Sequence, residues 1–396
     1  MNPEVLIAGA GPVGLSAALV LGSSGVRVHV YEAADILPNE LRASTFHPPT
    51  LDMLAPYGVT AAMLAQGLIC PHWQVRMHPS GDRAVFDLSV LAGETDHPYR
   101  LQCEQSKLAA ILLDKVRALE TVEVSFASRV IGAATTDDDA SFTVEQNGAR
   151  REVRGRYAIG ADGARSAVRE ALGIGFEGDI YPETTILATT TFPFETRLEG
   201  ISNVSYCWKA GGTFSLLRLP GLWRTSLYAR DGKTLEETLT DDGIQDLMHD
   251  IVPLPGPFEV LERRPYRIHQ RLAATYRQGR VFLAGDAAHL NSPSGGMGMN
   301  GGIHDAFNLA AKLVAALRKG DERGLDLYEA QRRPIAQDAI IAQAHQNRTR
   351  MQERDPERRK RLLADLQATS RDPAKLKAYM LRTSMIDGLR RAAAIQ

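Results

Sequence analysis

The sequence predicts an α/β protein: a Rossmann-type dinucleotide-binding domain, a second domain built on an antiparallel sheet, and a helical C-terminal segment. Three observations predict it. A short apolar strand at Glu4–Ala8 runs into Gly9-Ala10-Gly11-Pro12-Val13-Gly14 and an Ala/Leu-rich helix. Strand-like runs separated by turn residues dominate the middle of the chain, and helical periodicity returns at Ala374–Ala394.

The first element is strand, tight turn and helix, the geometry in which each glycine has a separate task. Gly9 permits the turn, Gly11 lets the backbone approach a pyrophosphate, and Gly14 lets helix and sheet pack closely. A second strand, Val26 to Tyr31, ends at Glu32, 18 residues beyond Gly14, where a carboxylate is expected to bind a ribose diol. The four parts together predict dinucleotide binding, which a glycine pattern alone does not. Between NAD and FAD this unit does not choose. No further βα units follow Glu32; instead Arg42 arrives soon after the ribose turn, either neutralising pyrophosphate or lying solvated in a loop.

Composition narrows the function class. The chain has 396 residues, enough for two lobes, and its 46 basic and 47 acidic residues give a formal charge of −1, which does not suggest nucleic-acid binding. Cys70, Cys103 and Cys207 form no Cys-x-x-Cys pair, and the ten histidines lack metal-ligand spacing. No metal site, cleavable signal or integral membrane segment is expected, and the location expected is cytoplasmic.

Two more turns carry chemistry. A small-residue strand at Tyr157–Ala161 runs into Asp162-Gly163-Ala164-Arg165-Ser166 and a helix to about Leu172. A buried strand at Arg280–Ala284 ends in Gly285-Asp286-Ala287-Ala288-His289, followed by Pro293, the loop Gly295-Gly296-Met297-Gly298-Met299-Asn300 and a long amphipathic helix stopped by Gly320. That helix start offers backbone N–H groups and a positive pole to a group that becomes negative. Arg165 and Arg169 either bind a phosphate or cap a surface helix.

In this order and separation, the glycine turn with Glu32, the Asp162-Gly163 turn and the Gly285-Asp286 segment resemble the class A FAD-dependent monooxygenases, the p-hydroxybenzoate hydroxylase-like aromatic hydroxylases. The resemblance covers roughly residues 1–345, and its most specific stretch is GDAAHLNSPSGGMGMNGGIHDAFNLAAKL. It implies that Gly9, Gly11, Val13, Gly14, Glu32, Arg42 and Gln105, with Gln102 as the fallback, hold FAD. It also implies that Asp162 is linked to FAD and NAD(P)H, and that Asp286 bonds the ribityl chain. Pro293, Gly298, Met299 and Asn300 are expected to line the isoalloxazine. The implied reaction is oxidation of NADH or NADPH, addition of O₂ at flavin C4a and transfer of the distal hydroperoxide oxygen to a phenol-like aromatic or N-heteroaromatic ring. A flavin-dependent reductase or dehydrogenase of the same architecture is the alternative.

The resemblance also divides the chain: an FAD-binding domain of residues 1–70, 101–174 and 276–345, a substrate domain of 71–100 and 175–275, and C-terminal helices over 346–396. Strands are expected at Thr184–Phe192, Ile201–Lys209, Thr213–Leu219 and Leu222–Ala229. Alternation along Val204–Trp208 sets Ser205 and Cys207 on one face and Tyr206 and Trp208 on the other, making the two aromatics either pocket walls or core. Tyr206, His47 and Pro293 are the candidates beside the reacting ring; His269 and Arg218 read equally well as structural, and His289 as structural. The charged run Arg348–Arg361 reads as a solvated helix face. Monomer or homodimer is the expected assembly.

Overall fold

A computed structural model describes residues 3–39 and 42–396. Its first layer is a sheet in the order Arg277–Gln278, Val281–Leu283, Tyr157–Gly160, Val5–Ala8, Val28–Tyr31 and Val122–Ser125, parallel except at the first pair. Val5–Ala8 is buried on both faces, as parallel strands between helices must be. The helix Pro12–Ser23 is buried almost all round, and Gln105–Arg117 and the long helix Gly298–Lys319 pack beside it. These elements enclose the main core, where deleting a buried leucine such as Leu15 or Leu309 costs about 2–5 kcal/mol. A three-stranded meander of Arg129–Thr135, Ala140–Gln146 and Ala149–Gly155 joins this layer, an element not read from the sequence.

The second layer is an eight-stranded sheet in the order His289–Leu290, Val260–Ala273, Phe176–Thr190, Leu222–Tyr228, Gly212–Leu219, Val204–Lys209, His72–Met77 and Arg83–Asp87. It is antiparallel except where Val204–Lys209 meets His72–Met77. Its end strand His289–Leu290 directly follows the Gly285-Asp286 turn, so the sheet is hydrogen-bonded to the segment that ends the first layer. This sheet carries a core of its own around Phe194, Trp223 and Met248.

The C-terminal segment forms Pro356–Arg371, Pro373–Thr383 and Ile386–Ala393, packed on the His72–Met77 and Arg83–Asp87 end of the sheet through Leu363, Leu366, Leu376 and Met380. The continuous pattern over Ala374–Ala394 is broken at Met385, whose φ of +68° is a left-handed conformation that disfavours side chains. Packing offsets that strain: Met385 is buried with Met297 and Ile340, which ties the tail to the glycine loop. The charged run is not simply a solvated face. Arg359 is 4% exposed and donates to the carbonyls of Lys209 and Gly212, capping a turn of the sheet.

Candidate active site

The three glycines of the first turn separate by what surrounds them. Gly9 has φ +100°, and a methyl group there would lie 2.4 Å from the Ala161 carbonyl oxygen. At Gly14 it would lie 2.0 Å from the Gly9 carbonyl oxygen, so helix and turn touch there. At Gly11 it would meet nothing within 4 Å. Gly9 and Gly14 are therefore required by the fold, whereas Gly11 borders open space. Its neighbour Pro12 opens the helix with no acidic residue in the first turn, leaving the positive pole uncompensated.

That space is a cleft of about 330 Å³ walled by Gly9, Gly11, Glu32, Arg42, Gln105 and Asp162, together with Arg129 and Arg165. Glu32 is held by two backbone donors: Ala10 N–H to Oε2 at 2.7 Å and Ala34 N–H to Oε1 at 2.9 Å. Asp162 accepts from the Val168 N–H at 3.1 Å through Oδ2, while Oδ1 is buried without a partner. Burial raises its carboxyl pKa, partly opposed by Ser166. Gln105 faces the cleft, whereas Gln102 is fully buried and donates to Thr45 Oγ1 at 2.8 Å.

Arg42 continues the cleft toward Asp286. Arg224 of the sheet donates to the Arg42 carbonyl and so fixes this loop from the second layer. The Arg42 charge acts on Asp286 and on Tyr266. Asp286 is reached by solvent yet enclosed by protein, and the enclosure raises its pKa; its charge in turn raises that of Tyr266, after burial. Gly285, at φ +62°, leaves only 2.8 Å between an added methyl and Val13 Cγ2.

This last contact corrects the reading of Val13. Its side chain wedges against Gly285 and Gly302, locking the two turns together, and does not face the cleft. Arg169 is corrected as well: it is 4% exposed and donates to the carbonyls of Ala287 and Ala164 at 3.0 Å, stapling the Asp162 and Asp286 turns. Arg165 alone of that pair faces the cleft.

The start of the long helix carries Gly298, Met299 and Asn300, whose N–H groups precede the first helical bond, Gly301 N–H to the Met297 carbonyl. Met299 packs on the main core, and Asn300 is fully buried, accepting from the His47 N–H and Thr50 and donating to the carbonyls of Thr45 and Gly296. The Asn300 side chain is thus fully engaged, whereas that of Met299 is half-buried.

A second cleft borders this loop, lined by Trp73, Arg100, Tyr206, Gly295, Arg350 and Tyr379. Tyr206 stands edge-on to Trp73 at 5.9 Å between ring centroids. Trp208 is fully buried in core, with its indole N–H donating to the Arg350 carbonyl, so the alternation is observed but only Tyr206 reaches the cleft. Pro293 is exposed in the loop beside Ser294 and Gly295, which form the cleft wall.

His47 lines neither cleft. It is completely buried behind Gly295, with Nε2 bonded to the Gly295 carbonyl at 2.8 Å, and burial with the nearby Arg100 charge pushes its pKa well below the usual histidine range. Its role is to hold the loop, which corrects its candidacy beside the reacting ring. His289 Nε2–H donates to Asp305 Oδ2 at 2.9 Å, a structural bond. Arg100, Arg350 and Tyr379 were missed because they come from segments with no motif, brought together only by the tail. Among the described residues no cluster of metal-ligand type occurs, and no helix is long and apolar enough to cross a membrane.

A family model described as an FAD binding domain matches residues 2–343. The chain is 33% identical to para-nitrophenol 4-monooxygenase of Pseudomonas sp. (strain WBC-3) over 395 residues, spanning 98% of this chain and 96% of the relative. The chain belongs to the class A FAD-dependent aromatic hydroxylases. This hydroxylase also shares 30% identity over 349 residues with pentachlorophenol 4-monooxygenase of Sphingobium chlorophenolicum, covering 86% of the chain and 63% of that protein. The crystal structure of p-nitrophenol 4-monooxygenase PnpA from Pseudomonas putida DLL-E4 superposes with a TM-score of 0.90 at 30% identity, covering 98% of each chain. A ternary complex of aklavinone-11 hydroxylase with FAD and aklavinone superposes at 0.77 and 28% identity, covering 89% of this hydroxylase and 69% of that chain.

Proposed function

We propose that this flavoprotein uses NADH or NADPH and O₂ to hydroxylate a phenol-like aromatic or N-heteroaromatic small molecule. The observation that carries the reading is the presence in one chain of a phosphate-suited cleft at the first glycine turn and an aromatic-walled cleft bordered by Ser294, Gly295 and Met297. The residues fit FAD. Gly11 borders open space, Asp162 Oδ1 lacks a partner, and Arg42, Arg129 and Arg165 supply cations for two phosphates.

Glu32 would hold the adenosine ribose, Gln105 and Asp286 the ribityl chain, and the N–H groups of Gly298, Met299 and Asn300 the edge of the ring that becomes negative on reduction. Bound FAD, reduced by NAD(P)H, supplies the activation of O₂ and the delivery of one oxygen atom to the aromatic ring. The chain's own residues position and shield. Tyr206 would share the proton of a ring hydroxyl, and His47 and Asn300 would hold the loop that borders its cleft. Three buried free cysteines accord with a reducing, cytoplasmic setting.

The purified protein is expected to be yellow, and NAD(P)H oxidation under oxygen is expected to accelerate with one member of a panel of phenols and N-heteroaromatics, with hydroxylated product by mass spectrometry. Flavin reduction without oxygen consumption would instead favour a reductase or dehydrogenase. Asp286→Ala is expected to fold normally but retain FAD more weakly. Loss of one charge-assisted bond costs about 1.5–3 kcal/mol, roughly 10- to 100-fold in Kd. Flavin absorbance per protein after dialysis reads this, and full flavin content would remove Asp286 from the site.

A further inference from the structure

The residues that would hold FAD all belong to the first layer and its turns, and the sheet of the second layer supplies one group that no motif marks. Tyr266 lies on the strand Val260–Ala273 and is 41% exposed, one of the few large apolar side chains left uncovered among the described residues. Register gives its direction. Tyr266 stands opposite Thr185; Glu262, further back on the same strand, stands opposite Thr189, and Thr189 stands opposite Arg224. Directly opposed residues share a face of a sheet, and so do residues an even number apart on one strand. Tyr266 and Arg224 therefore project from the same face. Arg224 donates to the Arg42 carbonyl, so that face is turned toward the first layer.

The charges on that side reach the phenol. Burial raises the Tyr266 pKa, the Asp286 charge adds to the rise and Arg42 opposes it, so the group stays neutral. A tyrosine that served only as core would be covered by protein, whereas Tyr266 keeps an open ring surface beside two residues assigned above to FAD. We propose that Tyr266 binds the cofactor directly, its ring packed against the isoalloxazine from the side of the second layer. This assignment rests on the FAD reading above and deepens it. The first layer would hold the phosphates, the ribose and the edge of the ring through polar groups, and Tyr266 supplies apolar surface for the ring's face. Offset or edge-on packing of two aromatic rings gains energy beyond the area it buries.

The test uses the FAD-loaded protein and reads flavin fluorescence. Light-excited flavin takes one electron from a phenol in contact with it and the electron then returns, so the light is lost as heat and no product forms. A benzene ring of the same size gives up an electron far less readily. Wild type is expected to be much dimmer than free FMN, whose flavin no adenine quenches. Tyr266→Phe is expected to be several-fold brighter than wild type while retaining FAD within about twofold. Tyr266→Trp, whose indole donates an electron as readily as a phenol, is expected to be dim again. Tyr266→Ala is expected to bind FAD about 2- to 10-fold more weakly, the loss of one aromatic pair. Tyr266 is exposed enough for these changes to leave the fold intact. A Tyr266→Phe protein as dim as wild type overturns the proposal, as does a Tyr266→Ala protein that holds FAD as tightly as wild type. Wild type by itself also overturns it if bound FAD is as bright as free FMN. If FAD is bound and Tyr266→Phe stays dim, this assignment fails alone; if wild type binds no FAD, the flavoprotein reading fails with it.

Discussion

Gly11→Val is expected to give a folded protein that purifies colourless. A side chain at Gly11 meets no protein atom, so stability should stay within about 0.5 kcal/mol of wild type, as for other changes at open surface. The branched side chain instead occupies the space beside the helix pole where a pyrophosphate must approach, and the loss of FAD affinity should exceed about 100-fold. Gly14→Ala is the control with the opposite outcome, since its methyl would lie 2.0 Å from the Gly9 carbonyl oxygen and the turn itself has to shift. Thermal melting by circular dichroism and flavin content of the two variants separate the roles. A yellow Gly11→Val protein would overturn the assignment of the first cleft.

Asp305→Ala is expected to cause the largest loss of stability of any single change considered, about 3–5 kcal/mol. Asp305 is fully buried, accepts from Arg332 Nε at 2.7 Å and from the Gly285 N–H at 3.2 Å, and bonds His289 at 2.9 Å. Removing it strands the Arg332 guanidinium, which is 1% exposed, and frees the turn that presents Asp286. Burial raises the Asp305 pKa, but Arg332 and His289 outweigh it and hold the carboxyl below the usual range. A lowered folded value means that this contribution is full above the unfolded carboxylate pKa of about 4. It is lost as pH falls through the folded value. Chemical denaturation across acid pH should therefore show Asp305→Asn lacking part of the wild-type acid dependence; parallel curves for the two proteins would contradict a lowered pKa for Asp305 in the folded state.

The legible parts of the molecule were those whose chemistry is local in the chain. The glycine turn, Glu32, Asp162 and Asp286 each sit at a strand end where backbone geometry and one side chain act together; the first three line one cleft, and Asp286 lies beyond its walls. Val13 and Asn300 lie inside the same motifs yet point inward, because a motif fixes position along the chain and not which side of a turn faces the ligand. His47 was misplaced for a related reason: a polar residue near a loop is indistinguishable in sequence from one that holds the loop from behind. Arg169 and Arg359 looked solvated because charge alone does not reveal a ring of carbonyl acceptors supplied by distant strands. Arg100, Arg350 and Tyr379 left no local trace at all, since 250 residues separate Arg100 from Arg350.

Met385, strained at the joint of the last two helices and packed on Met297, has a bearing on how such enzymes diversify. The family-wide match stops at residue 343, yet Asn347, Arg350, Met351, Tyr379 and Thr383 all lie beyond it and wall the second cleft. The second cleft is thus walled jointly by the family-matched body and by the tail, whereas the first cleft is walled by the body alone. A change of sequence in the last fifty or so residues therefore reshapes the aromatic-walled cleft while leaving every wall of the first cleft as it is.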